Sequence, residues 1–220
     1  MIDLHTHTLF SDGVLLASEL IRRAEEMGHR AIGLADHVDM GTLDWVVPRV
    51  VRVCEENNAS RTIRAIPAVE ITHVPPRLIG RCIAEARGLG AKLVVVHGET
   101  VVEPVEPGTN RAAIEGRVDI LAHPGLLTPE EARLAAENGV CLEISARKGH
   151  CLTNWHVARL AREAQALLVL DTDAHGPGDL IGVGFARMVA LGAGLTGEEY
   201  ERIRGTMERL AGFTAERAQR

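Results

Sequence analysis

The sequence predicts an α/β fold in which a parallel sheet closes, or nearly closes, into one barrel of seven βα units spanning residues 1–220. Three observations carry that expectation. Short apolar runs alternate with helical patterns from end to end. The runs are nearly continuous, as in parallel strands buried on both faces, rather than alternating. No Gly/Ser-rich linker divides the chain, and 220 residues with 46% hydrophobic content suffice for a single buried core. An open doubly wound sheet is the alternative topology. The G-x-G-x-x-G loop of a dinucleotide-binding version is absent after the first strand.

In chain order, Ile2–Leu4 reads as the first strand, and Leu16–Met27 as a helix with Leu20, Ile21, Ala24 and Met27 on one face. Gly28 supplies a left-handed stop for that helix. Strand Ala31–Leu34 precedes helix Asp44–Asn57, strand Ile63–Val69 precedes helix Leu78–Leu89, and strand Lys92–Val96 precedes helix Asn110–Gly116. After strand Val118–Ala122, Thr128-Pro129-Glu130-Glu131 starts a helix with a capping residue, a first-position proline and a capping-box glutamate. Strand Val140–Ile144 leads to helix Thr153–Gln165. Strand Leu167–Leu170 leads towards a last helix, Thr196–Leu210, which Thr196 and Glu199 start with the same box.

Composition narrows the function. A formal net charge of −6 without a long basic run disfavours nonspecific binding to duplex nucleic acid, which a cationic surface drives. No apolar run approaches the roughly 20 residues a membrane helix needs, so no membrane partner is expected. The N-terminus lacks the basic-then-apolar order of a signal peptide, and a cytoplasmic location is the expectation. Cys54, Cys82, Cys141 and Cys151 form no C-x-x-C pair, which points to reduced, mostly buried thiols rather than a thiolate zinc site. The 10 histidines outnumber the 3 phenylalanines and 1 tyrosine, so imidazole is the chemistry this chain favours.

Those imidazoles fall at strand ends. The first strand is followed by His5, His7 and Asp12, the second by Asp36 and His37, and the third by Glu70. The fourth delivers His97, the fifth His123, the sixth Glu143, Arg147 and Lys148, and the seventh Asp171, Asp173 and His175. One such residue is an ordinary cap or loop polar group. In a parallel barrel all the carboxyl ends meet on one face, and carboxylates and imidazoles crowded there need compensation. Divalent cations provide it. Mixed imidazole and carboxylate ligands suit Zn²⁺, Mn²⁺ or Fe²⁺, and the number of groups suits two or three ions.

The set "HTH", "SDG", "ADH", "VE", "VVH", "AHP" and "DTDAH" resembles the PHP superfamily, named after polymerase and histidinol phosphatase, in its order and over nearly the whole chain. The resemblance implies a distorted, TIM-like (βα)7 barrel with a trinuclear metal site that hydrolyses phosphoesters. Carried over by position, it implies a first metal on His5, His7, Glu70 and Asp173. Glu70 then bridges to a second metal on His97 and His123, and the third takes Asp12, His37 and His175. Some members have histidine where Asp12 stands and others aspartate, so the third site is altered rather than lost.

The expected activity is hydrolysis of a small phosphomonoester (histidinol-phosphate-like, a sugar phosphate or a nucleotide) by a metal-activated hydroxide, with Glu70, Asp173 and His175 as the catalytic set. Arg147 and Lys148 are read as phosphate-binding, against the alternative of a solvated loop pair. Asp36 and Asp171 either orient imidazoles or bond to loops, and Glu143 faces either the substrate or the barrel interior. His150 and His156 are read as loop and helix-surface residues, with His150 the better pocket candidate, His73 as bordering the pocket only on its minor reading, His29 as a surface residue, and Trp45 and Trp155 as packing. The competing functions are a nuclease acting on nucleic-acid ends, a metal-dependent amidohydrolase whose barrel starts with a similar H-x-H, and a non-catalytic binding subunit.

Overall fold

Apolar runs such as Leu93–Val96, Ile120–Ala122 and Val140–Ile144 are buried along their whole length, which is what a strand covered on both faces requires. The computed structural model describes residues 1–213. Its strands are β1 (Ile2–Thr6), β2 (Ala31–Leu34), the two-residue β3 (His37–Val38), β4 (Arg64–Ile71), β5 (Leu93–His97), β6 (Ile120–Ala122), β7 (Cys141–Ser145) and β8 (Leu168–Asp171). The sheet runs β1-β2-β4-β5-β6-β7-β8, and β3 continues the path of β2 alongside β4. Every pairing is parallel, so all the strand ends that carry His, Asp or Glu open onto one face.

The helices α1 (Ala17–Glu26), α2 (Leu43–Asn58), α3 (Pro76–Gly88), α4 (Thr109–Glu115), α5 (Pro129–Asn138), α6 (Asn154–Ala164), α7 (Val183–Gly192) and α8 (Gly197–Leu210) cover the sheet. α1 buries Leu20, Ile21 and Ala24, and the chain turns after it at Gly28 with φ +79°. Both expected capping boxes form: the Thr128 hydroxyl accepts from the Glu131 N–H, and Thr196 does the same with Glu199. No helix among the described residues is long and apolar enough to cross a membrane.

The barrel is nearly closed, and its seam is unusual. Among the described residues the only bridge at the seam joins Thr6 of β1 to Ala174, just beyond the end of β8, with the His7 N–H donating to the Ala174 carbonyl at 2.8 Å. Below it, side chains replace the ladder. The Leu4 N–H donates to Asp171 Oδ1 at 2.6 Å, while the Thr172 N–H and hydroxyl donate to Asp3 at 3.2 and 2.6 Å. All three of Asp3, Asp171 and Thr172 are buried. Burial, reinforced by the charges of Asp3 and Glu143, pushes Asp171 well above the ordinary carboxylate range.

The structure departs from sequence expectation at several places. α7 carries no amphipathic signal in the sequence because its segment is apolar apart from Arg187, holds Gly184 and Gly192 and starts from Gly182 without a side-chain cap. β3 is too short to show any period. His29, expected at the surface, is buried, with its Nε2 2.9 Å from the Ile181 carbonyl that it reaches across the chain. Trp45 and Trp155, read as packing, are 47% and 60% exposed. Cys54, Cys82 and Cys141 are buried and Cys151 is exposed.

Candidate metal centre

The loop "HTHTLFSDG" is shaped from below by Asp36, whose carboxylate accepts from the Thr8 N–H at 2.7 Å, the Thr8 hydroxyl at 2.8 Å and the Ser11 hydroxyl at 2.8 Å. Of the two readings open for Asp36, the structure gives the loop-bonding one. Gly13 packs so closely on the His7 carbonyl that any Cβ would collide with it. The loop is thereby folded back, and His5, His7 and Asp12 all reach the rim.

Three groups of donors gather there. His5, His7 and Asp173 form the first, with His7 Nε2 3.0 Å from Asp173 Oδ1 and His5 Nε2 3.4 Å from Glu70 Oε1. His97, His123 and His150 form the second, with His123 Nε2 3.6 Å from Glu70 Oε1. Asp12, His37 and His175 form the third together with His7, with Asp12 Oδ1 3.2 Å from His175 Nε2 and 3.5 Å from His37 Nε2. Glu70 also reaches His37 Nδ1 at 2.7 Å, so its carboxylate touches all three groups. The third group is the open one, because the Asp12 side chain is 58% exposed while Glu70 is fully buried.

Most of the rings are held by the nitrogen that faces away from the centre. His5 Nδ1 meets Glu143 Oε1 at 2.8 Å, His97 Nδ1 the Gly98 carbonyl at 3.1 Å and His175 Nδ1 the Asp173 carbonyl at 2.9 Å. His37 Nδ1 lies 2.6 Å from the Thr72 hydroxyl and 2.7 Å from Glu70 Oε2 and so is not turned away from the centre, whereas His150 Nδ1 meets the Thr100 hydroxyl at 2.8 Å. A ring fixed in this way presents Nε2 inward as a lone-pair donor. Inside the centre, His5 Nε2, His7 Nε2, Glu70 Oε1 and Asp173 Oδ1 are buried without a hydrogen-bond partner. Buried polar atoms left this way are costly, and a divalent ion satisfies all four. The donor set therefore fits metal.

The charge states agree at His7, His123 and Glu70, whereas at His5 burial is outweighed by Glu70 and Glu143, which raise the imidazole, so that there an ion would displace a proton. Burial and the like charges of His37 and His5 push the His7 imidazole well below its ordinary value, and burial with His97 does the same to His123. Burial opposes ionisation of Glu70, but His5 and His37 outweigh it and hold the carboxyl well below its usual range. Burial also works against charge on His37, yet Glu70 and Asp12 raise it to about 8. Neutral imidazole and ionised carboxylate are the forms that ligate. Backbone strain marks the same residues: His123 and Asp173 adopt φ of 28° and 51°, in the left-handed region that non-glycine residues rarely occupy.

All nine metal ligands expected from the sequence (His5, His7, Asp12, His37, Glu70, His97, His123, Asp173 and His175) lie around this centre. Arg147 lies on its edge, with Nη1 donating to the Asp173 carbonyl at 2.9 Å and Nε 3.4 Å from Asp173 Oδ2. Lys148 is exposed and lines a neighbouring groove rather than the metal cavity. Glu143 faces the barrel interior, gripping His5 and accepting from the His123 N–H at 2.8 Å. Asp171 serves the seam. His73 lines the cavity mouth, and His156 is half-buried with Nε2 2.8 Å from the Leu127 carbonyl. Sequence reasoning missed Glu103, whose carboxylate lies 3.2 Å from His97, 3.4 Å from His73 and 3.5 Å from His150. Hydrogen bonding from His97 holds Glu103 down at about 2. It stands in the Pro-rich loop after β5, away from any strand end, and carries no local signal.

Comparison with known proteins agrees with this geometry. The PHP domain profile matches residues 3–183. The chain is 48% identical over 201 residues to an uncharacterized protein of Methanocaldococcus jannaschii, covering 90% of this chain and 92% of that one. It is 31% identical over 206 residues to a Shewanella pealeana protein named "probable phosphatase", covering 80% and 77%. Among solved structures, a chain in the cryo-EM structure of archaeal ribonuclease P with mature tRNA superposes with a TM-score of 0.73 at 18% identity, covering 97% of this chain and 90% of that one. With the profile spanning most of its length and the motifs gathered at one face, the chain belongs to the PHP domain family.

Proposed function

We propose that the chain is a metal-dependent phosphoesterase that hydrolyses a small phosphomonoester. The observation that carries this reading is the convergence of unpartnered buried nitrogens and carboxylate oxygens beside a fixed guanidinium. His5, His7, Glu70 and Asp173 would hold one ion, Glu70 with His97 and His123 a second, and Asp12, His37 and His175 a third. When bound, such ions polarise phosphoryl oxygens and acidify the water that attacks phosphorus.

The chain's own residues do the positioning. Arg147, held against Asp173 by its Nη1, offers a planar donor fork at the cavity edge, suited to phosphoryl oxygens. The cavity over the ligands, about 360 Å³, shares Arg147 with a groove of about 780 Å³ lined by Lys148, Gly178, Asp179, Ile181 and Phe185. The phosphoryl group then lies over the ligands and the alcohol portion crosses Arg147 into the groove, where Lys148 adds a point charge. Relatives bearing the name phosphatase support the reading.

A phosphate-release screen across amino-alcohol, sugar and nucleotide phosphates with Mn²⁺ or Zn²⁺ supplied tests it. Release from at least one class is the expected result, and none from any class overturns it. The likeness in fold to a chain within ribonuclease P supports a link to nucleic acid, through a nuclease acting on nucleic-acid ends or a binding subunit, which the net charge of −6 opposes. An end-labelled oligonucleotide in the same screen separates the nuclease from the monoesterase. A non-catalytic subunit would purify without stoichiometric metal, and an amidohydrolase would release no phosphate.

A further inference from the structure

Two residues at the second donor group stand outside the strand-end pattern. His150 opens the 3₁₀ turn His150–Thr153, and Glu103 sits on the loop between β5 and α4. His150 is only 4% exposed, its Nδ1 is held by Thr100, and its ring stacks on His123 with centroids 4.1 Å apart and planes at 17°. The free Nε2 therefore points into the centre, 3.6 Å from Asp173 Oδ2 and 3.5 Å from Glu103 Oε1. The other Glu103 oxygen lies 3.2 Å from His97 Nε2.

Packing does not account for this. A buried imidazole that served only to fill space would not aim its free nitrogen at two carboxylates, and 3.5–3.6 Å is long for a hydrogen bond. The 3.5 Å to Glu103 is the spacing of donors that share an ion, because ligand atoms about 2.0–2.2 Å from a tetrahedral metal lie roughly 3.4 Å from one another. The nitrogens of His97, His123 and His150 also fall within 4.8 Å of one another, a compact set for one ion, and Glu103 forms an adjoining set with His97 and the exposed His73.

Resting on the reading that this centre holds metal, we propose that His150 and Glu103 are direct ligands of the second ion, which is held by three imidazoles and a carboxylate: His97, His123, His150 and Glu103. These two residues add to Glu70 on the inner side of the site, and the imidazole content selects a Zn²⁺-class ion over Mg²⁺ or Ca²⁺. The second site is then the tight one of the centre, and Glu103 closes it from the solvent side.

The test is Zn²⁺ titration of the metal-stripped full chain against a chromophoric chelator, with bound metal counted by mass spectrometry. His150→Ala and Glu103→Ala should each weaken one ion by about 100-fold or more, beyond the 10–100-fold cost of losing an outer supporting group, and leave the other ions bound. In the Co²⁺-loaded protein, His150→Ala should also remove one strongly shifted imidazole N–H resonance. Should His150→Ala fail to fold, Glu103→Ala, on an exposed loop, decides alone. Wild-type stoichiometry and affinity in the variants overturn the proposal, even if substrate KM rises. A wild-type chain that takes up no Zn²⁺ overturns both this and the function it rests on.

Discussion

His5 can offer one nitrogen inward because Glu143 occupies the other, and the same carboxylate fixes the backbone of His123. Glutamine at position 143 can accept only one of these two donors through its single carbonyl. Glu143→Gln should therefore lower metal affinity about 10- to 100-fold, as measured by chelator competition. An unchanged affinity would show the pairing to be dispensable. Glu70→Gln and Asp173→Asn remove carboxylates that reach several imidazoles each, so turnover should nearly vanish and metal content should fall by at least one ion, read by mass spectrometry. Arg147→Ala should raise KM for a phosphorylated substrate while metal content stays at the wild-type level. At this scale the sequence was highly readable, since a strand end places a side chain on a known face. Glu103 and His150 escaped firm assignment because loops and 3₁₀ turns have no such register, and only the folded chain brings them within 3.5 Å.

Elements with explicit start and stop signals were equally readable. α5 begins where Thr128-Pro129 places it, and the Glu131 carboxylate accepts from the Thr128 N–H at 2.7 Å. Thr128→Ala should cost about 1 kcal/mol of stability, seen as a lower urea midpoint at unchanged slope, with kcat intact because α5 supplies no ligand. A loss of activity without loss of stability would contradict that separation. α7 shows why the rest was hidden. Its exposed Val183, Phe185, Met188 and Leu191 erase the polar face by which an amphipathic helix is recognised. β3 was hidden for the opposite reason, since two residues define no period, although its pairing with β4 sets His37 directly beside Glu70.

For the whole molecule, the nearly closed seven-unit barrel follows from βα alternation, but the manner of its closure does not, because side-chain bonds across a seam leave no periodic trace. Asp171 at that seam has a testable signature. Its pKa in the folded chain lies well above that of the unfolded chain, owing to burial and the nearby charges of Asp3 and Glu143. The native state therefore keeps the proton longer, and this group's contribution to stability declines as pH rises past the unfolded carboxylate value of about 4. Asp171→Asn keeps an acceptor for the Leu4 N–H and removes the titration. In the metal-free protein its stability relative to wild type should grow as pH rises above about 4, and a pH-independent difference would refute the assignment.

The seam also lies directly beneath the metal centre. His5 and His7 leave from one of its banks and Asp173 from the other, so an ion held by all three spans the gap that the backbone ladder leaves open. Loading the ion is then also a mechanical act, a rivet driven through the last joint of the barrel. The amides of Leu4 and His7, which bond across that joint, should exchange with solvent more slowly once metal is bound. Slower exchange on metal addition would make the free-metal concentration around the protein a control on the stiffness of the barrel; unchanged exchange would rule that out.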